Sequence, residues 1–313
     1  MLKSQVSVIL SLYNEPIAYI SKAIQSITIQ TYSNLQIIII IDNPENNEVI
    51  EYVKGIANSD ERVVFFINEK NMGLVYSLNR ALSHAQGEYI ARMDADDIAD
   101  SARIEKQLNY LCENNLDLVG SLVTDIDEND REIHGVTQYP ENNEEIAEYL
   151  RYASPLAHPT WFGKKLVFDT LNGYQSIDAC EDYDFLCRAV LSGFKLGVIQ
   201  QSLLQYRINT NGISSTKRSI QKTALYFIRQ QFRKGKSTNS TELMSFISSA
   251  KGKKKKNELE RYAILSTNLK NKSGFSYYLY GTIIFITSVE ARDVLFTIRN
   301  CKRIIRKRRN INE

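Results

Sequence analysis

Apolar residues in the first hundred positions fall into short unbroken runs. Four of these runs are predicted to be strands, at 6–10, 35–41, 62–67 and 89–93. Continuous apolarity is typical of strands that are buried on both faces of a sheet. Between the runs, apolar residues recur every three or four positions, as on one face of a helix: Ile20, Ala23, Ile24, Ile27; Leu74, Leu78, Ala81, Leu82; Ile104, Leu108, Leu111, Cys112. Strands that alternate with helices predict an α/β domain with a doubly wound sheet.

Polar residues come directly after several of the predicted strands. Tyr13 and Asn14 follow the first, Asp42 follows the second, and the acidic stretch 94–97 follows the fourth. Ligands of doubly wound sheets bind beyond the carboxyl ends of the strands. We therefore expect these residues to converge on one crevice.

Three carboxylates, those of Asp94, Asp96 and Asp97, lie close together in this acidic stretch. Like charges repel, so a site that keeps such groups ionised usually supplies a cation. A Mg2+ site typically combines one or two carboxylates with water and substrate phosphates. The spacing of Asp94 and Asp96 therefore predicts a divalent metal that holds a diphosphate. The alternative is an acidic turn before the next helix.

Five segments resemble, in the right order, the family 2 glycosyltransferases with the GT-A fold. They are 6–15, 30–42, 71–73, 87–97 and 181–184. The resemblance implies a Rossmann-like, mostly parallel central sheet flanked by helices. It also implies an enzyme that moves a sugar from a nucleotide diphosphate donor to an acceptor hydroxyl, with inversion at the anomeric carbon.

The same resemblance assigns the donor side of the site. Ser11, Tyr13 and Asp42 would line the pocket for the nucleotide base. Asp94 would lie beside the ribose and the metal, and Asp96 would bind Mn2+ or Mg2+ directly.

Two positions depart from the family pattern. Many members have paired acids after the second strand, whereas Ile41 precedes Asp42 here. This departure leaves the identity of the nucleotide base open, and a UDP-sugar is the donor that the resemblance leads us to expect. The segment 206–209 resembles one that closes over the donor diphosphate, but Asn209 stands where a His is frequent. Arg207 in this segment could pair with phosphate, or it could be a surface residue at a strand end.

Asp182 is the expected general base. An acceptor hydroxyl must lose its proton as it attacks the sugar, and a positioned carboxylate can take that proton. Taken alone, Glu181, Asp182 and Asp184 equally suit the acidic first turn of a helix. The resemblance favours Asp182 as the base and Glu181 and Asp184 as acceptor-binding groups. His158, in a His-Pro pair that the family often has beside the acceptor, is a further acceptor-binding candidate, with a structural histidine as the alternative.

Composition bounds the compartment and the mode of action. The chain has 313 residues and four cysteines without metal-finger spacing. Its amino terminus has no charged stretch leading into a long apolar segment, so a reduced, cytoplasmic protein is expected. The Gln-x-x-Arg-Trp signature of processive polysaccharide synthases is absent from the sequence. A single-addition enzyme is therefore favoured.

Charge divides the chain into two regions. Residues 1–213 contain 16 Lys and Arg against 30 Asp and Glu, a net charge of −14, whereas residues 214–313 contain 23 against 6, a net charge of +17. We interpret 1–213 as the GT-A glycosyltransferase domain and 214–313 as a basic helical region with different partners.

The basic region has the features of a membrane-associating segment. Helical periodicity begins at Ile220, and the polybasic stretch 251–256 reads as an exposed connection. The stretch 273–289 has 17 uncharged residues, several of them aromatic, ahead of the basic stretch 299–309. That length is the minimum for a spanning helix, so we expect a helix in the interface of an anionic membrane, on the inner face of the cell membrane. Nucleic-acid binding, which the acidic domain would oppose, and plain solvated charge are the alternatives.

The expected function is that of an inverting, metal-dependent, non-processive hexosyltransferase. Its acceptor would be a saccharide, lipid-linked, in bacterial O-antigen or capsule assembly. One alternative is a membrane-bound scaffold that kept the fold and lost turnover. Another is a nucleotidyltransferase, which would need a basic Gly-rich phosphate loop after the first strand, and the sequence has none there.

Overall fold

A nine-stranded sheet forms the centre of the protein. The structure is a computed structural model, and it describes residues 4–134, 136, 138–177, 180–208, 218–270, 281–282, 284–285 and 288–309. The strands are β1 Val6–Leu12, β2 Leu35–Ile41, β3 Val63–Ile67, β4 Tyr89–Asp94, β5 Ile98–Ala99, β6 Leu118–Ile126, β7 Glu132–His134, β8 Phe162–Lys164 and β9 Leu196–Arg207. Their order across the sheet is β3-β2-β1-β4-β8-β6-β9-β5, with β7 paired to β6.

The first four strands form a parallel half-sheet, as the apolar runs predicted. β1 pairs with β2 and β4, and β2 pairs with β3. All residues of 37–41 are fully buried, because helices cover both faces. Leu12 pairs with Ile41 and Ser11 with Asp94, so the carboxyl ends of β1, β2 and β4 meet at one edge.

The second half of the sheet is mixed. β8 runs antiparallel between β4 and β6, and β9 runs parallel to β6 and antiparallel to β5. β9 ends at Arg207, whose backbone N–H donates to the Asp97 carboxylate at 2.8 Å. The carboxyl end of β9 therefore reaches the acidic turn that follows β4.

Helices cover both faces of the sheet. They are α1 Ile17–Thr28, α2 Asn47–Ser59, α3 Leu74–His84, α4 Arg103–Glu113, α5 Asn143–Leu150, α6 Lys165–Thr170 and α7 Glu181–Leu191. One core cluster joins the sheet to α1, α2 and α4, and the other joins it to α3, α5, α6 and α7. The predicted helices are confirmed, but Cys112, which we counted on the buried face of α4, is exposed.

Four further helices follow the sheet domain. They are α8 Arg218–Arg233, α9 Ser240–Ser248, α10 Ala250–Lys270 and α11 Val289–Arg309. Ala224 and Ile228 of α8 belong to the same core cluster as α7. Cys301 and Ile304 of α11 pack on Tyr149 of α5. The basic region is therefore helical, as predicted, and shares apolar contacts with the sheet domain.

The prediction that 251–256 is an exposed connection is wrong. These residues lie inside α10. Lys is among the good helix formers, so a run of lysines is compatible with a helix. The Lys255 ammonium is buried, pairs with Glu290 of α11 and lies 4.2 Å from the centre of the Tyr226 ring. A run of lysines thus contributes one buried ion pair between helices.

The expected interfacial helix at 273–289 falls mostly outside the described residues. Among the residues that are described, no helix has the length and apolarity needed to cross a membrane.

Candidate active site

The strand order brings the predicted donor-side residues to one edge of the sheet. Ser11 lies near the end of β1 and pairs in register with Asp94 at the end of β4. Tyr13 follows β1 and is 40% exposed. Its backbone N–H donates to Glu15 at 2.7 Å, which shapes the turn after β1. Ser11, Tyr13 and Asp94 therefore lie together, as expected for one crevice.

Asp42 is held by the protein's own hydrogen bonds. It is 3% exposed. Its Oδ1 accepts from Asn68 Nδ2 at 2.6 Å and from the Met72 N–H at 2.8 Å, and its Oδ2 accepts from the Gly73 N–H at 2.8 Å. Gly73 has φ +87°, a conformation that favours glycine, directly before α3. Asp42 thus fixes the loop that starts α3, and its contact with a nucleotide base stays a prediction.

The turn after β4 concentrates negative charge. Burial, and then the charges of Asp94 and Glu15, raise the pKa of Asp96 to about 7. Burial also raises the pKa of Asp97 well above its usual range. Asp97 Oδ2 has no hydrogen-bond partner in the described part of the chain. These carboxylates share more negative charge than the neighbouring side chains neutralise.

A buried arginine, Arg92, lies beneath these carboxylates. It is 2% exposed, and its Nη2 pairs with Asp94 Oδ1 at 2.5 Å. Its Nε and Nη1 have no hydrogen-bond partner among the described residues. Burial alone would lower the pKa of Arg92, but the charge of Asp94, the hydrogen bond to it and the charge of Asp97 act together against burial, and the pKa is raised. The sequence analysis missed Arg92, although an arginine inside an apolar, doubly buried strand was a visible signal.

The predicted general base lies in the first turn of α7. The Asp182 carboxylate accepts from the Tyr183 N–H at 2.7 Å. Burial raises the pKa of Asp182, and the charge of Asp94 adds to the rise while that of Arg92 opposes it. Burial, followed by the charge of Asp182, raises the pKa of Glu181 to about 7. The charges of Asp94 and Arg92 on β4 therefore affect the pKa of both Glu181 and Asp182.

Asp184 points to the interior. It is fully buried, and its Oδ2 accepts from Arg188 Nε at 2.7 Å. Arg188 also donates to the carbonyls of Leu171 and Gly173 at 2.8 and 3.1 Å. Asp184 and Arg188 thus tie α7 to the chain ahead of it, and acceptor binding by Asp184 stays a prediction.

His158 lies in an aromatic cluster behind the crevice. Its Nε2 and the Tyr174 hydroxyl are 3.0 Å apart, and its ring centre is 4.5 Å from that of Trp161. Burial, followed by the charge of Arg92, holds the pKa of His158 well below its usual range. The imidazole is therefore neutral, and its predicted contact with the acceptor stays untested.

Arg207 joins two loops. Its Nε donates to the Asp96 carbonyl at 2.9 Å, its Nη1 to the Asp127 carbonyl at 2.6 Å and its Nη2 to Asp130 at 2.5 Å. The guanidinium lies 4.0 Å from the centre of the Tyr19 ring. All three guanidinium nitrogens have protein acceptors, so the predicted phosphate contact would need some of them to be exchanged. Asn209 lies outside the described residues.

The two carboxylates of Asp94 and Asp96 suit a metal ion whose other ligands are phosphate oxygens and water. Among the described residues, no group of three or more His, Cys, Asp and Glu side chains is arranged to hold a metal by itself. Asp94 and Asp96 provide two carboxylates, and the Asp94 side chain is 33% exposed. Mg2+ commonly takes one or two carboxylates and fills its other positions with water and phosphate oxygens. The raised pKa of Asp96 indicates a place where a cation would be favourable.

Comparisons with known proteins agree with the fold and the motifs. Residues 7–171 match the family model described as Glycosyl transferase family 2. An uncharacterized glycosyltransferase of Methanocaldococcus jannaschii is 38% identical over 208 residues, covering 66% of this chain and 71% of that one. The O-antigen biosynthesis glycosyltransferase WbnJ of Escherichia coli is 31% identical over 236 residues, covering 75% of this chain and 91% of that one.

A solved structure extends the likeness to the carboxyl-terminal helices. The mannosyltransferase PcManGT from Pyrobaculum calidifontis, in complex with GDP-Man and Mn2+, aligns with a TM-score of 0.59 at 14% identity. The alignment covers 96% of this chain and 85% of that chain. At this identity the likeness shows the fold, which is that of a GT-A glycosyltransferase.

The first prediction concerns the pair of Arg92, which is buried, and Asp94, whose side chain is 33% exposed. Arg92→Met should lower the free energy of unfolding by about 1.5–3 kcal/mol, because Asp94 loses a hydrogen bond from a charged and buried donor. Urea denaturation measures this change. Arg62→Met is the matched control, since Arg62 pairs with Asp60 at 2.6 Å but its side chain is 27% exposed. That control should cost about 1 kcal/mol or less, and equal losses in the two variants would contradict the prediction.

The second prediction concerns pH. The native state keeps a proton on Asp96 up to about pH 7, whereas the unfolded chain releases it near its ordinary pKa of about 4. The native state therefore binds more protons between these values, so metal-free protein should lose stability as pH rises from about 5 to 8. Asp96→Asn should flatten that slope, as measured by urea midpoints in chelator.

A control carboxylate has the opposite shift. The hydrogen bond from Arg62 lowers the pKa of Asp60, so Asp60→Asn should leave the slope above about pH 5 unchanged. If Asp96→Asn and wild type give parallel profiles, the raised pKa of Asp96 is wrong.

Proposed function

The chain belongs to glycosyl transferase family 2, and from this membership we propose that it is an inverting, non-processive hexosyltransferase. It would move one sugar from a nucleotide diphosphate sugar, a UDP-sugar, to a hydroxyl of a saccharide acceptor. Asp94 and Asp96 would serve the donor side of this reaction. Asp182 would serve the acceptor side.

The observation that carries this proposal is electrostatic. The charge of Asp94 contributes to the raised pKa of both Glu181 and Asp182, and the charge of Arg92 opposes it at both. The carboxylates of β4 and of α7 are therefore near enough to interact across a space of low polarity. This supports a donor and an acceptor that meet between the two groups.

On the donor side, a divalent ion held by Asp94 and Asp96 would stabilise the negative charge on the departing nucleoside diphosphate. Arg92 pairs with Asp94 at 2.5 Å and so fixes its carboxylate before the donor binds. Arg207 holds the backbone of Asp96 through its carbonyl. PcManGT, whose structure is similar in fold, is in complex with GDP-Man and Mn2+, which supports a divalent ion on the donor side here.

On the acceptor side, Asp182 would accept the proton of the attacking hydroxyl. The acceptor oxygen forms a bond to the anomeric carbon as the bond from that carbon to the diphosphate breaks, and the proton goes to the Asp182 carboxylate. A raised pKa brings a carboxylate nearer to neutral pH, which makes it a better proton acceptor there. Glu181, Asp184 and His158 are proposed to bind or position the acceptor.

The biological setting rests on relatives. WbnJ is an O-antigen biosynthesis glycosyltransferase, so we propose a lipid-linked saccharide acceptor in bacterial O-antigen or capsule assembly. The absence of a Gln-x-x-Arg-Trp signature from the sequence supports single addition.

The third prediction tests this function. Purified protein in Mn2+ should hydrolyse one member of a panel of nucleotide sugars, and excess chelator should abolish that turnover. Asp182→Asn keeps the size of the side chain but cannot take the proton, so turnover should fall by roughly 10^2 to 10^4 while donor affinity changes little. Titration of the nucleotide product measures donor affinity.

Asp169→Asn is a suitable control, because Asp169 is an exposed acid that pairs with Lys165 on α6. It should leave turnover unchanged. Loss of donor affinity in Asp182→Asn would make Asp182 a binding residue. Donor binding by wild type without any turnover would favour the scaffold alternative. That alternative is worth testing because Arg207 and Asp42 already form hydrogen bonds with other parts of the protein.

We also propose that the basic region holds the enzyme on the inner face of the cell membrane. Arg299, Lys302 and Arg306 of α11 are exposed. Each Lys or Arg near an anionic lipid surface contributes on the order of 1 kcal/mol. The other face of α11 packs on the catalytic domain through Ile304, so the helix could bind lipid while it stays docked.

The fourth prediction follows from that charge. Replacing Arg299, Lys302 and Arg306 by Gln should weaken binding to anionic vesicles by about 100-fold, as measured by co-sedimentation, because about 3 kcal/mol of attraction is lost.

A triple Gln variant of three exposed lysines elsewhere, Lys54, Lys70 and Lys195, removes the same charge from the catalytic domain. It should bind vesicles nearly as wild type does. Equal weakening in both triple variants would refute membrane docking through α11.

A further inference from the structure

We propose that the cleft between α7 and the carboxyl-terminal helices binds the phosphate-bearing, lipid-linked end of the acceptor. This inference rests on the proposed transferase function and adds an acceptor subsite to it. The sugar would lie beside Asp182, the diphosphate would lie among basic side chains farther along the cleft, and the lipid chain would leave over exposed apolar residues of α11.

The first part of the cleft begins at the predicted base. A cavity of about 390 Å3 is lined by Asp182 at one end and by residues of α8, α10 and α11 along its sides. Tyr152, Tyr226 and Tyr262 contribute rings to this cavity, beside Leu225 and Leu259. Aromatic faces and aliphatic side chains suit the apolar faces of a sugar ring, and the volume lies within the range of small-ligand sites.

The second part of the cleft is basic. A neighbouring cavity of about 390 Å3 shares Tyr226, Arg229 and Lys255 with the first, so the two adjoin. Its lining has five basic side chains, including Arg233, Lys251 and Lys254, against the acids Glu258 and Asp293. An anion at this place would meet an excess of positive charge.

The basic side chains differ in how they are engaged. The Lys255 ammonium pairs with Glu290. Arg229 Nη1 donates to the Tyr152 carbonyl at 2.9 Å, but its Nε is buried and has no partner among the described residues. Lys251 and Lys254 are exposed, and neither forms an ion pair in the described part of the protein. The cleft therefore has cations that a diphosphate could bind without displacing an acid.

Exposed apolar residues lie beside the basic part. Val289 and Phe296 line the basic cavity and are 52% and 57% exposed, and Leu295, also on α11, is 51% exposed. Apolar side chains next to a cationic cavity suit a ligand that carries a lipid chain beyond its phosphates. A free sugar phosphate would use the cations and leave these side chains in water.

The three kinds of lining together identify the ligand class. The cavity that Asp182 lines has aromatic residues, and the cavity that adjoins it has basic side chains and exposed apolar residues of α11. A saccharide joined to a lipid through a diphosphate has one group for each of these linings. The cleft lies largely outside residues 7–171, the part that matches the family model, so it can be particular to the acceptor of this chain.

The fifth prediction uses farnesyl diphosphate as the probe of the diphosphate and chain, with chelator present so that no metal-bound diphosphate forms on the donor side. Isothermal titration should show binding at least about tenfold tighter than that of inorganic pyrophosphate, since burial of even 60 Å2 or so of apolar surface contributes about 1.4 kcal/mol. Lys251→Gln/Lys254→Gln should weaken binding of farnesyl diphosphate by about tenfold or more, because two phosphate contacts are lost.

The matched control is Lys253→Gln/Lys256→Gln. It removes the same charge from the same helix, at positions that line neither cavity, and should weaken binding less than about threefold. Phe296→Ala should reduce the preference for farnesyl diphosphate over pyrophosphate, whereas Ile264→Ala, another exposed apolar residue that lies outside both cavities, should keep it. Equal weakening by the two lysine pairs would overturn the subsite in favour of general attraction to anionic lipid. Equal affinity for pyrophosphate and farnesyl diphosphate would overturn the lipid-linked ligand in favour of free phosphate.

Donor hydrolysis in Mn2+ separates this inference from the function on which it rests. Donor hydrolysis without binding of farnesyl diphosphate would overturn the subsite alone. Binding of farnesyl diphosphate by a wild type that hydrolyses no donor would overturn the proposed transferase and leave a lipid-diphosphate site.

Discussion

The ion pair between the buried Arg92 and Asp94 is the constraint on which the candidate site depends. A parallel sheet gathers the carboxyl ends of its strands at one edge, and here that edge collects several carboxylates. Burial raises the pKa of Asp96 and Asp97 in this cluster, and a cation beside them opposes that rise. Arg92 supplies that cation from the middle of β4, where helices on both faces of the sheet prevent it from leaving.

A second arginine fixes the same turn from the opposite side. Arg207 ends β9 and binds the carbonyl of Asp96, while its own N–H binds Asp97. The acidic turn is therefore held at two places. Arg92, on the strand that leads into the turn, pairs with the Asp94 carboxylate, and Arg207, which is 111 residues from Asp96 along the chain, binds the backbone carbonyl of Asp96. The backbone of this turn is thereby restrained before any ligand binds, which is what an electrostatic site needs in order to avoid reorganisation during the reaction.

Sequence reasoning located the first four strands and several of the helices, because each leaves a local trace. Runs such as Leu35–Ile41 are continuous since both faces are buried, and Asp42 and Asp94 follow strands. It missed Arg92, although its partner Asp94 is only two residues away on the same strand. It also missed the partners of Arg207, because those contacts depend on which distant segments meet. It also misread 251–256 as a connection between helices and missed the burial of Lys255, since one acid on another helix, Glu290, decides where Lys255 lies.

The acidic and basic parts of the sequence lie next to each other in the structure, because the carboxyl-terminal helices pack on the sheet domain. The acidic domain and the basic region are joined by apolar groups such as Ile304 and Ile228 as well as by charge, since Arg303 pairs with Glu148. Most basic side chains are thereby left to face outward or to line the cleft that begins at Asp182. Negative charge at the end of β4 favours a metal and its diphosphate donor, and positive charge farther along that cleft favours an anionic acceptor. The two substrates of a transferase would thus be sorted by charge before either reaches the reacting centre.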